Sequence, residues 1–166
     1  MFLTIEQFTE TWKHEVSSTA KLLDKLTDES LAKPLHKDVR TLGRAAWHIV
    51  ASYDEMCARF GIKVDGPTEK DPIPQKAADI KAAYEKVTKA VLEHVARWRD
   101  GDLQKEDDMY GQTWKRGKSL WVLMIHEIHH RAQMTVLMRL AGLPVPGVYG
   151  PSREEWDKFG MPSPEV

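Results

Sequence analysis

Residues 119–142, SLWVLMIHEIHHRAQMTVLMRLAG, decide the fold, because they predict one long helix that carries three of the seven histidines. His126 and His130 are four residues apart, so on a helix they lie one turn apart on the same side. Two imidazole rings spaced in this way can bind one metal ion between them. Their face also carries apolar residues at the helical period, which are Leu123, Met134, Leu137 and Ala141.

The apolar surroundings of this histidine pair leave two interpretations open. A neutral imidazole ring can be buried only if its nitrogens find partners. A metal ion is one such partner, and a backbone carbonyl or a carboxylate in the core is another. His129 lies near the edge of the same face, where it is either a hydrogen-bond partner of a ligand or a solvated side chain.

Helical periodicity recurs along most of the chain, and no segment has a convincing strand pattern. We therefore predict an all-α, up-down four-helix bundle that forms one domain over residues 1–166. Two short helical segments are predicted as well, at 29–32 and at 152–159, where Ser152 and Glu155 have capping-box spacing. The four long helices are predicted over residues 4–25, 41–60, 75–99 and 119–142.

The last helix has a second apolar side, formed by Trp121, Ile125, Ile128 and Ala132. A helix that is apolar nearly all round is buried on two sides. This helix therefore either lies centrally under the loops and the tail, or packs against another subunit.

The composition limits the possible partners and location. The net charge is −1, which gives no general attraction to nucleic acid or to an anionic membrane. A single cysteine, Cys57, excludes an internal disulfide framework. The first residues, MFLTIEQF, lack the pattern of a signal peptide, and no apolar run is long enough to span a bilayer. We therefore expect a cytoplasmic protein that binds neither nucleic acid nor membrane.

His48 is a third candidate ligand, on the flank of the apolar stripe of the second predicted helix. From that flank its ring could reach across a groove between helices. Considered alone, His48 is more typical of a histidine at the edge of a core than of a metal ligand. Only the histidine pair on the last helix supports its interpretation as a ligand. Ser52 and Glu55 stack on the same flank.

The string HEIHH at 126–130 matches the H-E-x-x-H pattern, in which two histidines bind zinc and the glutamate activates water. The metzincin extension is absent, because Gln133 and Val136 stand where glycine and histidine would be required. Glu127 points about 100° away from His126 around the helix. It belongs either to the wall of the site or to a helix–helix contact. A zinc peptidase is kept as a secondary alternative.

Three segments, RTLGRAAWHI, HEIHHRAQ and LPVPGVYGP, resemble the DinB/YfiT-like family, and the resemblance covers nearly the whole chain. The family pattern is a histidine in the second helix, then H-x-x-x-H followed by R-G-Q in the last core helix. The matching positions here are His48, His126, His130, Arg131 and Gln133. Ala132 stands where the family usually has glycine.

The resemblance implies a three-histidine site for one divalent metal ion, zinc or nickel, on His48, His126 and His130, often in a homodimer. It also implies a metal-dependent hydrolase, or a thiol S-transferase that acts on a small molecule with a low-molecular-weight thiol. Three imidazoles leave coordination positions open for water or substrate, and they suit several first-row metals. The alternative is a non-catalytic dimer in which the metal is structural or sensed. Candidate partners of the ligand rings are Ser52, Glu55, His129 and Gln133.

Overall fold

Helices dominate the computed structural model, which describes residues 1–165. The elements in chain order are α1 (Ile5–Leu23), α2 (Asp28–Leu31), α3 (Leu42–Arg59), α4 (Ala77–Val95), a 3-10 segment (Asp100–Gln104), β1 (Glu106–Met109), β2 (Gln112–Lys115), α5 (Arg116–Ala141) and a second 3-10 segment (Arg153–Phe159). Both α1 and α3 pack against α4 and α5, around one hydrophobic cluster. The predicted all-α four-helix bundle is confirmed, together with both short helical segments.

The helix that carries the histidine pair begins earlier than predicted. α5 starts at Arg116, and Ser119 is buried within it, where its hydroxyl faces the Lys115 carbonyl at 3.5 Å. Gly117 lies in the first turn because the chain near Phe2 passes very close; a Cβ at Gly117 would come within 2.4 Å of the Phe2 carbonyl oxygen. The helix ends as predicted at Gly142, which adopts φ 80°.

A two-stranded antiparallel hairpin, β1–β2, was not predicted from the sequence. Its register pairs Met109 with Gln112, which leaves a two-residue turn at Tyr110 and Gly111. Both turn residues have positive φ, 61° and 76°, as a two-residue hairpin turn of type I′ requires. The strands are only four residues long and mostly exposed, so their hydrophobic alternation is too weak to be detected from the sequence.

The outer side of α5 is not covered by the tail. Trp121 and Ile125 are 40% and 37% exposed, and Ala132 is exposed as well. Only Ile128 of the second apolar side packs partly against the core. Within residues 1–165, no helix has the combined length and hydropathy that a bilayer span requires.

A buried polar cluster joins all four helices of the bundle at Glu127. Thr19 of α1, Tyr53 of α3 and Tyr84 of α4 each donate a hydroxyl hydrogen bond to the Glu127 carboxylate on α5. Burial is the main influence on the pKa of Glu127 and raises it, whereas the three hydroxyl donors and the charge of Arg131 act in the opposite direction. Glu127 therefore makes the helix–helix contact that was one of its two predicted roles.

One turn further along α5, Arg131 extends this cluster toward the tail. Its guanidinium donates to the Glu15 carboxylate at 2.7 Å, and both side chains are buried. Tyr149 of the tail accepts a hydrogen bond from Arg131 at 3.0 Å and donates one to Glu15 at 2.7 Å. These contacts attach the tail to α1 and α5.

We expect Glu127→Ala to lower the free energy of unfolding by about 3 kcal/mol, because three buried hydroxyl groups lose their shared acceptor. Urea denaturation followed by circular dichroism measures the loss. Tyr84→Phe removes one donor and is the matched control, with an expected cost of about 1 kcal/mol. An equal cost for the two variants would contradict the role of Glu127 as the shared acceptor.

Candidate metal centre

The structure brings together the three histidines that the sequence singled out. His48 projects from α3, and His126 and His130 project from α5. The Nε2 atom of His130 lies 3.0 Å from Nε2 of His48 and 3.2 Å from Nε2 of His126. Two nitrogens bound tetrahedrally to one zinc ion, at about 2.0–2.1 Å each, would lie about 3.4 Å apart. The spacing is therefore close to that of a shared ion.

Two of the rings are oriented by neighbouring side chains through Nδ1. His48 Nδ1 contacts the Glu69 carboxylate, which comes from the loop between α3 and α4. His130 Nδ1 lies 2.9 Å from the side-chain oxygen of Gln133, one turn along α5. Because a carboxylate and an amide oxygen only accept hydrogen bonds, both Nδ1 atoms carry the proton and donate.

This protonation pattern tests whether the site fits a metal ion. When both rings are neutral and protonated on Nδ1, their Nε2 atoms each present a lone pair, and these lone pairs face each other across 3.0 Å. Two acceptors at that distance repel unless a proton or a metal ion lies between them. The three histidines are the group in residues 1–165 whose ligand atoms all lie within 4.8 Å of one another. The residues fit a divalent ion that prefers imidazole nitrogen.

The electrostatics of the site keep the rings available as ligands. Burial is the main cause that lowers the pKa of His126 to about 4, and the neighbouring histidines act in the same direction. The pKa of His130 is also lowered, mainly by burial, although its hydrogen bond to Gln133 opposes the shift. His126 is therefore neutral at pH 7, which is the form that binds a metal.

The predicted partners of the ligand rings are only partly correct. Gln133 does contact His130, and its amide nitrogen donates to His129 at 2.9 Å, so His129 lies beside the site. Glu55 instead binds Arg59 and Tyr110. The Ser52 hydroxyl donates to a backbone carbonyl within α3, so neither predicted residue of that helix flank orients a ligand ring.

The contact of Glu69 with His48 was not predicted from the sequence. Glu69 lies in an irregular loop rich in proline and glycine, where no periodicity places a side chain, and it also approaches Arg44 at 3.9 Å.

The position of Glu127 bears on the peptidase alternative. Glu127 is 2% exposed and its carboxylate accepts hydrogen bonds from hydroxyls in the core, so the geometry does not supply the water-activating glutamate of a zincin.

The fold and the histidine cluster define a class of protein. The family model described as "DinB family" matches residues 1–165, and the chain belongs to that family. The predicted resemblance is thereby confirmed.

Individual relatives agree with this assignment. The chain is 41% identical over 167 residues to YrdA, an uncharacterized protein of Bacillus subtilis strain 168, and the match covers all of both chains. It is 45% identical to a DinB-like protein of Bacillus cereus ATCC 10987 with a crystal structure, with a TM-score of 0.85 over 90% of this chain and 100% of that one. The DinB-like protein YjoA of B. subtilis shares the fold, with a TM-score of 0.65 at 16% identity over 82% and 92% of the two chains.

We expect Glu69→Ala to weaken zinc binding by about tenfold or more, because it removes the acceptor that fixes the tautomer and orientation of His48. Competition with a chromophoric chelator measures the affinity. Glu55→Ala is the matched control, since Glu55 lies on the same helix as His48 but binds Arg59, and its affinity should equal that of the wild type. Equal affinities for all three proteins would exclude Glu69 as the orienting group.

Proposed function

We propose that this protein is a metal-dependent enzyme that acts on a small molecule, as a hydrolase or a thiol S-transferase. One divalent ion, zinc or nickel, would be held by His48, His126 and His130. The observation that supports the proposal is the convergence of three Nε2 atoms, two of them separated by 3.0 Å and fixed as lone-pair donors by Glu69 and Gln133. Three protein ligands are the number typical of catalytic zinc sites, whereas structural sites use four.

In such a site, the residues around the cluster would orient the ligand rings, and the three rings would bind the ion. Glu69 and Gln133 hold two ligand rings in one tautomer, so that little reorganisation is needed when the ion binds. The three rings are neutral ligands and leave the positive charge of the ion uncompensated. A bound divalent ion supplies Lewis acidity, which lowers the pKa of a coordinated water or thiol and provides a nucleophile near neutral pH.

Space for a substrate lies directly beside the cluster. A cavity of about 470 Å³ reaches His130 and Gln133, between the start of α3 and the middle of α5. This volume falls within the range of small-molecule sites in proteins. The cavity supports an enzyme that acts on a small molecule rather than a closed structural metal site.

We expect the wild type to bind one Co²⁺ per chain and His126→Ala to lose most of that binding, because the central cluster loses one of three ligands. Elemental analysis after dialysis measures the stoichiometry. His14→Ala, which removes an exposed histidine of α1, is the matched control and should bind cobalt as the wild type does. Equal stoichiometry in His126→Ala would refute the site.

The cobalt-loaded protein also distinguishes an open site from a closed one. Addition of 2-mercaptoethanol should produce a sulfur-to-cobalt charge-transfer band if a coordination position is exchangeable. An unchanged spectrum would favour the non-catalytic alternative, in which the metal is structural or sensed. Release of p-nitrophenolate from p-nitrophenyl acetate and conjugation of the thiol to 1-chloro-2,4-dinitrobenzene then compare water with thiol as the nucleophile, in metal-loaded and metal-free protein.

We propose further that the protein is a homodimer that pairs the outer sides of two α5 helices. Large apolar side chains stay exposed along this side over about five turns of helix. They are Trp121 at 40%, Ile125 at 37% and Leu140 at 60%. A two-fold axis would bring the same apolar stripe of both copies together and remove it from water.

We expect Ile125→Glu to convert the dimer to a monomer, because it places a charge within the paired apolar stripe. Sedimentation velocity at several protein concentrations measures the mass. Glu93→Gln, an exposed change on α4, is the control and should leave the mass unchanged. A wild type that sediments as a monomer at all concentrations would refute the dimer.

A further inference from the structure

The cavity beside the histidine cluster combines apolar walls with one cationic side chain. Val136 and Leu137 of α5 form part of its wall, and His130 and Gln133 lie at the end nearest the cluster. Arg40, in the segment just before α3, lines the same cavity. A molecule that fills this space therefore meets an apolar surface, a candidate metal ligand, the guanidinium group of Arg40 and the carboxylate of Asp38.

The charge of Arg40 is available to a ligand. Within residues 1–165, no carboxylate forms an ion pair with Arg40, whereas its neighbour Arg44 lies 3.9 Å from Glu69. Asp38 also lines the cavity, but its carboxylate lies 3.6 Å from the Lys37 ammonium group. Arg40 is exposed, so its guanidinium group lines the cavity without the cost of being desolvated in the folded protein.

Arg40 also lies close to the cluster, because it lines the same cavity as His130. The side chain of Gln133, by contrast, is already engaged, since its oxygen faces His130 and its nitrogen donates to His129. Arg40 is therefore the cationic group of the cavity that a substrate anion can reach near His130.

We propose that this cavity binds the carboxylate of a small-molecule substrate and that Arg40 is its specificity-determining residue. A guanidinium group binds a carboxylate through two parallel hydrogen bonds, which fixes the orientation of the ligand as well as its charge. The apolar wall then accommodates a short aliphatic segment between the carboxylate and the reacting group. The inference rests on the proposed function, because it assigns a substrate class to the same site.

The test compares succinate with its neutral analogue succinamide, by ¹⁵N NMR titration of zinc-loaded and metal-free protein. The cross peak of the Arg40 side chain and the amides of residues 38–45 and 133–137 report binding in the cavity. We expect the wild type to bind succinate about tenfold more tightly than succinamide. In Arg40→Gln the preference should fall below twofold. Arg97→Gln, an exposed arginine beyond the end of α4, changes the net charge equally and should keep the preference.

The outcomes separate this inference from the metal proposal. A preference for succinate that persists in Arg40→Gln, or that the wild type lacks, would overturn the role of Arg40 even if zinc binds at the histidines. A preference that depends on Arg40 in the metal-free protein supports the carboxylate site, even if the protein fails to bind zinc and the proposed function fails.

Discussion

The geometry of the histidine cluster depends on the hydrogen bonds to Glu127. A buried carboxylate without donors would cost several kcal/mol, so the hydroxyls of Thr19, Tyr53 and Tyr84 must all face it. Each hydroxyl comes from a different helix, and the carboxylate belongs to the fourth. This requirement fixes the rotation of every helix about its own axis. Since Glu127 follows His126 directly, the same rotation aims the histidine face of α5 toward α3.

The predictions from the sequence were accurate where periodicity carries the information. The long helices and the histidine pair follow from residues three and four apart, a spacing that helix geometry converts directly into proximity. His48 lies 78 residues before His126, so no local pattern could join them; its assignment came from the family resemblance. Glu69 and the turn at Tyr110–Gly111 were missed because loop contacts and short exposed strands leave no periodic signal.

The motif at 126–130 shows how one pattern acquires two meanings. In a zincin the glutamate of H-E-x-x-H faces the metal water, but here Glu127 faces the core and holds the bundle together. The histidines of the motif instead meet a third ring from a neighbouring helix. The same letters on a helix therefore specify different sites, because the packing of the other helices decides which face is buried.

The contact between Glu69 and His48 has a thermodynamic consequence for the loop that carries the glutamate. The loop is held to the bundle partly through a ring that also faces the cluster. If ordering of the loop raises the affinity of the cluster for a cation, then cation binding stabilises the ordered loop by the same free energy. This follows because linkage between two equilibria is reciprocal. Cation binding at the cluster and ordering of the loop that carries Glu69 are therefore thermodynamically coupled.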